Sequence, residues 1–253
     1  MAIAMVCMAY QLQAQNIEIG GRGDLGTFWL LNSATPISSG GSESKTLSLS
    51  YGGGLHLAYD FTDHAGIEAN VLYGMLSQTY SGNYNNNGML PDGTIYLNGE
   101  SYTSKNSLTA IQFPLLLCLE TDAGSFVEIG AEYQIIQNTM YTASYNSPSS
   151  SRSFNSTEYF AGSNIMGVLG FGGKYSIGNN FFLLTDFRIQ YGFTDIKGLD
   201  GEGQAYASPY YSSYSATHAL YGSVNLGLFY MIQITQTHKQ GHQKCKSPPR
   251  VHS

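Results

Sequence analysis

Apolar and polar residues alternate along residues 46–78 with few exceptions. The apolar set falls mainly on odd-numbered positions and includes Leu49, Leu55, Leu57, Tyr59, Ile67 and Val71. A period of two residues is typical of a β-strand with one apolar and one polar face. Residues 62–64 predict a turn, so the segment is interpreted as a hairpin. Its strands exceed ten residues, and a tilted strand needs roughly nine to eleven to cross a bilayer.

The same alternation recurs in six further segments. They are residues 17–31, 107–120, 127–135, 159–175, 181–193 and 218–233. Long polar segments (32–45, 81–106, 139–158 and 194–217) alternate with short turns (62–64, 122–124 and 176–180). Outer-membrane barrels have this asymmetry, with long extracellular loops and short periplasmic turns. We therefore predict an all-β fold, an antiparallel up-and-down transmembrane β-barrel of about eight strands.

Four residues disturb the pattern. Pro114 predicts a bulge or local kink, because proline cannot donate a hydrogen bond to a β-ladder. Leu72, Leu76 and Phe229 fall on the polar side of their strands. The alternative fold is a soluble β-sandwich or lipocalin-like barrel, which would turn its apolar face inward. The long strands and the scarcity of charge disfavour it.

Composition supports a membrane protein without a spanning helix. Charged residues make up 11 % of the chain, against about 25 % in soluble domains. No run of about 18 apolar residues occurs. The net charge is −6, while several basic residues cluster near the C-terminus (Lys239, Lys244, Lys246 and Arg250). The acidic remainder makes nucleic acid an unfavourable partner, and the scattered Cys7, Cys118 and Cys245 indicate no disulfide framework.

The two ends of the chain are expected to lie outside the barrel. Residues 2–10 are mostly apolar and precede Leu12-Gln13-Ala14, a small-residue end compatible with signal-peptidase cleavage. Residues 1–14 are therefore predicted to be a partial signal peptide, with a disordered or buried N-terminus as the alternative. The barrel is assigned to residues 15–233, and residues 234–253 to a basic, disordered periplasmic tail.

Polar side chains of the strands are predicted to fill the lumen. The expected charge network comprises Glu18, Arg22, Asp24, Glu68, Glu128, Glu132, Lys174, Asp186 and Arg188, with His56, Gln112 and Gln190 as further polar lumen residues. Buried charges must be paired, and a barrel of about eight strands is only wide enough to be filled by side chains. A salt-bridged plug is the favoured interpretation, and a narrow cation-preferring pathway is the alternative.

Aromatic residues at the strand ends predict two membrane girdles. Tyr59, Phe61, Tyr175, Phe181 and Tyr230 are assigned to the periplasmic ends, and Trp29 and Tyr191 to the loop ends. They would anchor the barrel in the outer-membrane lipid.

Enzymatic and metal sites find weak support. His218 lies near Ser213, Ser215 and Asp195 in sequence, but such spacing is common in a Ser-rich loop and no catalytic motif accompanies it. Asp195, Asp200 and Glu202 could offer oxygen ligands to Ca²⁺, yet the loop lacks the ordered spacing of a known site. We expect no enzyme activity, no cofactor and no metal.

Four segments resemble the PorT-like outer-membrane β-barrel (porin-like) family of Gram-negative envelopes. They are AIQFPLLL (110–117), FVEIGAEY (126–133), GGGLHLAY (52–59) and DFRIQYGF (186–193). The resemblance implies an eight-stranded outer-membrane barrel, with some relatives serving protein secretion, and it brings no catalytic residues. The basic extension after residue 234 departs from such barrels, which end on an aromatic residue of the last strand.

The combined expectation is a non-enzymatic outer-membrane barrel with a largely filled lumen. It would act in envelope interactions or assembly through its loops or rim, with envelope proteins as possible partners. The alternative is a narrow channel or conduit for small solutes.

Overall fold

The computed structural model describes residues 16–34, 42–89, 95–146 and 149–234. The predicted signal peptide and nearly all of the predicted tail lie outside these residues. The strands are β1 (Asn16–Leu31), β2 (Ser42–Thr46), β3 (Leu49–Thr62), β4 (Ala65–Asn83), β5 (Gly88–Met89), β6 (Ile95–Tyr96), β7 (Ser101–Glu120), β8 (Ser125–Asn146), β9 (Ser149–Asn155), β10 (Ser163–Ser176), β11 (Phe181–Gly192) and β12 (His218–Gln233). A 3-10 helix, η1, spans Thr157–Tyr159. None of the helices in the described ranges is long and apolar enough to span a membrane.

Eight strands close into an antiparallel ring in the order β1, β3, β4, β7, β8, β10, β11, β12. The ring closes because β12 pairs with β1 from Asn16↔Gln233 to Leu31↔His218. Apolar side chains point outward and polar ones inward: Leu57 is 51 % exposed, while its neighbour His56 is 3 % exposed. The predicted all-β barrel of about eight strands is confirmed.

Three predicted loops contain strands, and one predicted strand is shorter. Residues 42–46 form β2 on the edge of β4, and residues 149–155 form β9 on the edge of β8. The segment 81–106 holds the ends of β4 and β7 and the small β5–β6 hairpin. Asn, Glu and Lys are depleted in strands, but pairing with an existing strand overrides that preference. The strand predicted from residue 159 begins at Ser163, after η1.

The predicted bulge at Pro114 is wrong. Pro114 stands opposite Glu132 of β8 with no shift of register, and the nearest shift lies between Thr109 and Ala110. On the other side, the β4 ladder is interrupted between Ala69↔Leu115 and Leu72↔Gln112, with the same register before and after. The missing N–H of Pro114 therefore removes pairing locally, but no extra residue is inserted into the strand.

β4, β7 and β8 continue past the lipid-facing band at the loop end of the barrel. On β7, Ile111 is the last apolar residue of the outward-facing row, and Thr109, Ser107 and Lys105 follow it. With β2 and β9 on their edges, these strand ends form a five-stranded sheet, here called the extension. The extension consists of β2, residues 79–83, 101–107 and 140–146, and β9.

The predicted girdle residues lie at two levels. Trp29 and Tyr191 both pair with Leu220 of β12, while Phe181 pairs with Tyr230. Positions 220 and 230 are about 33 Å apart along a strand. At a tilt of 35–45°, this corresponds to the roughly 25 Å apolar band of outer-membrane barrels.

The inward Gly54 lets the backbones of β3 and β4 approach each other closely. A Cβ at Gly54 would stand 1.9 Å from the carbonyl oxygen of Val71 and 2.9 Å from the Cα of Leu72. A Cβ on the neighbouring, outward Gly53 would meet the carbonyl oxygen of Arg22 at an ordinary 3.5 Å. Gly53 and Gly54 therefore lie in the same strand but differ in the room available for a side chain.

We expect Gly54→Val to destabilise the barrel by about 1–3 kcal/mol through overpacking, whereas Gly53→Val leaves stability nearly unchanged. Urea unfolding in lipid vesicles measures both, with Trp29, the single tryptophan of the chain, as the fluorescent reporter. Equal midpoints for the two variants would contradict the close approach of β3 and β4 at Gly54.

Candidate functional site: the lumen and its outer mouth

Two arginines hold the centre of the lumen. Arg22 donates from Nη1 to Glu68 Oε1 at 2.5 Å and from Nη2 to Asp186. Arg188 donates from Nη2 to the same Glu68 oxygen at 2.5 Å and to Glu128 Oε2 at 3.0 Å, and from Nε to Glu128 Oε1. The carboxylates come from β4, β8 and β11, so the network crosses the barrel interior. These side chains are almost fully buried, and each guanidinium binds more than one acid.

A second group of charges lies nearer the turn end. Lys174 Nζ is 2.8 Å from Glu18 Oε1 and 2.8 Å from Glu120 Oε2. His56 links this group to the centre, since Nε2 is 3.3 Å from Glu18 Oε2 and Nδ1 is 3.0 Å from Asn70 Oδ1. Lys174 also lies over the ring of Phe229.

Aromatic rings lie beside this second group of charges in the lumen. Phe229 stacks on Phe182 with ring centroids 5.5 Å apart, and it lies 5.5 Å from the His56 ring. Phe229 therefore points inward, and its departure from the alternating pattern reflects this apolar layer. Leu184, Phe126 and Cys118 are buried in the same cluster.

Amides and a tyrosine surround the remaining acids toward the loop end. Glu132 accepts hydrogen bonds from Gln134 Nε2 at 2.6 Å and from Gln190 Nε2 at 3.1 Å. Asp24 accepts one from the Tyr221 hydroxyl. Gln112 is also buried inside the barrel.

The structure thus places all twelve predicted lumen residues inside the ring. Eleven are buried as whole residues, and the Lys174 side chain is 7 % exposed. The predicted set of lumen residues left out the amide partners Asn70, Gln134, Asn164 and Asn225, although each lies at an inward-facing position of its strand. Water therefore hardly reaches these charged side chains along this part of the barrel.

An apolar cluster closes the lumen at the loop end. Leu76 and other inward residues of the ring pack there against Ile196 and Leu199 from the segment after β11. The ring contributes Phe28, Leu30, Leu76, Leu108, Ile136, Met166, Ala219 and Tyr221. Leu76 lies at an inward-facing position of β4, and this was the sign of the apolar layer in the sequence.

Residues 193–217 fold into the mouth, against the inner face of the extension. Asn106 Nδ2 donates to the carbonyl oxygen of Leu199 at 2.8 Å, and the Tyr141 hydroxyl donates to that of Gly201 at 2.9 Å. Glu43 Oε2 accepts from the Gly201 amide and from the Tyr102 hydroxyl, both at 3.0 Å. Three strands of the extension, β2, β7 and β8, therefore hold this loop in place.

Asp200 is the buried centre of the mouth, with 2 % exposure. Its Oδ1 accepts from the amides of Glu202 at 3.0 Å and Gln204 at 2.9 Å, and its Oδ2 accepts from the Tyr211 hydroxyl. Burial raises the pKa of Asp200 well above its usual range, and the nearby carboxylate of Glu43 raises it further.

The residues considered for catalysis have structural partners. His218 Nδ1 lies 3.0 Å from the carbonyl oxygen of Gly192, and its ring stacks on Tyr191. Asp195 Oδ1 accepts from the amides of Lys197 and Thr217, both at 2.9 Å. Among the residues that the structure describes, no cluster of three or more His, Cys, Asp or Glu side chains has metal-binding geometry.

A family model described as "Outer membrane protein beta-barrel domain" matches residues 13–198, well over half of the chain. None of the curated proteins is significantly similar to this chain.

Several solved barrels are similar in structure. OprG from Pseudomonas aeruginosa is 12 % identical, over 88 % of this chain and 98 % of that one, with a TM-score of 0.39. Ail of Yersinia pestis is 12 % identical, over 87 % and 100 %, with a TM-score of 0.34. The outer membrane protease OmpT from Escherichia coli is 9 % identical, over 87 % and 97 %, with a TM-score of 0.31. These similarities are too low to transfer a function.

We expect Arg188→Met to destabilise the barrel by about 3–5 kcal/mol, because it leaves buried carboxylates without their cation. Adding Glu128→Leu should recover part of this loss, which a double-mutant cycle from urea unfolding measures. Lys105→Met, on the outer face of the extension, is the control and should change stability little. Strictly additive effects of the Arg188 and Glu128 substitutions would contradict the network.

The docking of residues 193–217 should weaken as the pH rises. Because the pKa of Asp200 is raised in the folded mouth, the folded state keeps a proton that the undocked loop loses above about pH 4. The stabilisation is complete below that pH and decreases as the pH passes the raised pKa.

Hydrogen exchange of the Glu202 and Gln204 amides measures this effect after correction for the intrinsic pH dependence of exchange. We expect less protection at high pH in the wild type and a much smaller pH dependence in Asp200→Asn, which keeps an acceptor at Oδ1. Protection that does not change with pH in the wild type would exclude a protonated Asp200.

Proposed function

Since the chain belongs to the outer membrane protein β-barrel domain family and lies in the outer membrane, we propose that it is a non-conducting, non-enzymatic barrel. In this proposal, the barrel holds a fixed surface at its loop end for contacts with other envelope or extracellular components. The family fits the asymmetry of the ring, in which short turns lie at one end and long loops at the other.

The observation that carries the proposal is the filled interior. At the turn end, aromatic rings lie beside the first group of ion pairs. The central ion pairs, an amide layer and an apolar cluster follow toward the loop end. Each layer consists of buried side chains from several strands. A solute pathway would need all of these layers to open together.

The ordered mouth supports a role in surface contacts. Residues 193–217 are tied to the extension and expose the aromatic side chains of Tyr210 and Tyr214. Tyrosines provide large contact area at low cost in conformational entropy. A fixed loop also loses little further entropy when it binds a partner.

The channel alternative rests on the excess of acids in the lumen. Asp24 and Glu132 accept hydrogen bonds from neutral groups rather than from an arginine or lysine, which would favour cations if water entered. The PorT-like relationship remains a prediction, as does a role of the loops or the periplasmic rim in envelope assembly.

Planar-bilayer recording distinguishes the two functions. We expect no steady openings from the wild type, because side chains fill the lumen at several levels. A variant in which a Gly-Ser linker replaces residues 197–211 removes the mouth but keeps the ion pairs, and it should remain closed as well. Large, steady wild-type openings would reject the proposal and favour the channel.

A further inference from the structure

The outer face of the extension carries two straight rows of hydroxyl groups. Residues that pair directly across antiparallel strands point to the same face. The first row is Thr46, Thr79, Lys105, Thr142 and Ser153, and the second is Ser44, Ser81, Thr103, Ser144 and Ser151. Their in-strand neighbours Tyr80, Tyr102 and Tyr141 are buried on the opposite side, so both rows point away from the barrel axis.

This face is uniform in chemistry. Within the two rows, Lys105 is the only charged residue, and the other nine positions are Ser or Thr. Glu43 of β2 belongs to the other face, where its carboxylate accepts from the Tyr102 hydroxyl. A face turned toward lipid tails would be apolar, and protein surfaces exposed to water usually mix charges of both signs. The outer face of the extension resembles neither kind of surface.

The face continues directly from the lipid-facing surface. On β7, Phe113 and Leu115 are exposed on the same side as Lys105 and Thr103, with Ile111 between them. Lys105 is six residues beyond Ile111, or about 20 Å along the strand. Thr103 of the second row is eight residues beyond Ile111, or about 26 Å. At the 35–45° tilt of such strands, the first row stands about 14–16 Å and the second about 19–22 Å above the last apolar residue. Both heights exceed the roughly 5–8 Å of a phospholipid headgroup region, so only a larger headgroup reaches the two rows.

The headgroup layer at the outer surface of an outer membrane consists largely of glycolipid saccharides. A saccharide hydroxyl both donates and accepts, as do the hydroxyls of Ser and Thr. The absence of carboxylates from the two rows avoids repulsion of sugar phosphates, and Lys105 adds a donor for them. Five exposed positions, Thr103, Thr142, Ser144, Ser151 and Ser153, offer this chemistry on adjacent strands.

We propose that the outer face of the extension binds the saccharide headgroups of outer-leaflet glycolipids. This inference rests on the part of the proposed function that places the loop end at the cell surface, and it does not depend on a closed lumen. The extension would then stand within the glycolipid layer while the mouth loop faces outward above it.

The test compares vesicles of phospholipid alone with vesicles that contain lipopolysaccharide. The readout is the rate at which a membrane-impermeant maleimide labels Ser144→Cys in the second row. The matched control is Ser213→Cys in the mouth loop, and wild-type protein gives the background from native cysteines. We expect lipopolysaccharide to slow labelling of Ser144→Cys roughly fivefold, as for about one net hydrogen bond, and to leave Ser213→Cys unchanged.

Removal of the hydroxyls should remove the protection. Thr103→Val with Thr142→Val keeps the side-chain shape and the β-propensity of both positions, so the extension should fold. In the Ser144→Cys background, this pair should restore most of the labelling rate. Unchanged protection would overturn the inference.

Other outcomes also reject it. Equal slowing at Ser144→Cys and Ser213→Cys indicates general crowding, and slowing in phospholipid vesicles with rising protein density indicates a second copy on the face. Labelling of Ser213→Cys in intact cells tests the orientation separately. If Ser213→Cys is unreactive there, the proposed function fails; if it reacts while Ser144→Cys ignores lipopolysaccharide, only the glycolipid inference fails.

Discussion

Pairing of β1 with β12 is the contact on which the rest of the structure depends. In a bilayer, each backbone N–H or C=O without a partner costs several kcal/mol, so an open sheet edge cannot remain in lipid. The antiparallel register from Asn16↔Gln233 to Leu31↔His218 removes that edge over the whole length of both strands. Closure also makes one face of every strand an interior, and the alternation of side chains then decides what fills it.

A closed ring of eight strands has little room, and the chemistry inside follows from that. Arg22 and Arg188 can share Glu68 because strands that are distant in sequence place their inward residues at one level. Inward glycines such as Gly52 and Gly170 give lumen side chains their space, because a Cβ there would meet the carboxylates of Asp24 and Glu128. The ion pairs do not by themselves indicate high stability, because burying charges has a large desolvation cost. They do require that every strand keep its register.

The two ends of the barrel differ in what they present. Short turns lie at one end, where the buried ring of Phe229 stacks on that of Phe182. At the other end, three ring strands run on into the extension, and the segment after β11 folds back against its tyrosine-rich inner face. The inner face of the extension is therefore a core, whereas its outer face continues the lipid-facing surface with hydroxyl groups. This division supports the proposed role in surface contacts.

The sequence by itself determined the strands that cross the membrane and the direction of their side chains, because a period of two residues is a local property. It thereby predicted the barrel and placed Glu18, Arg188 and the other lumen residues on the inward face. Only the tertiary structure decided which of them meet, since cross-lumen partners such as Arg188 and Glu68 are set by strand order and stagger. The same holds for β2 and β9, whose polar residues form strands only because β4 and β8 offer an edge, and for residues 193–217, whose fold depends on the walls around them.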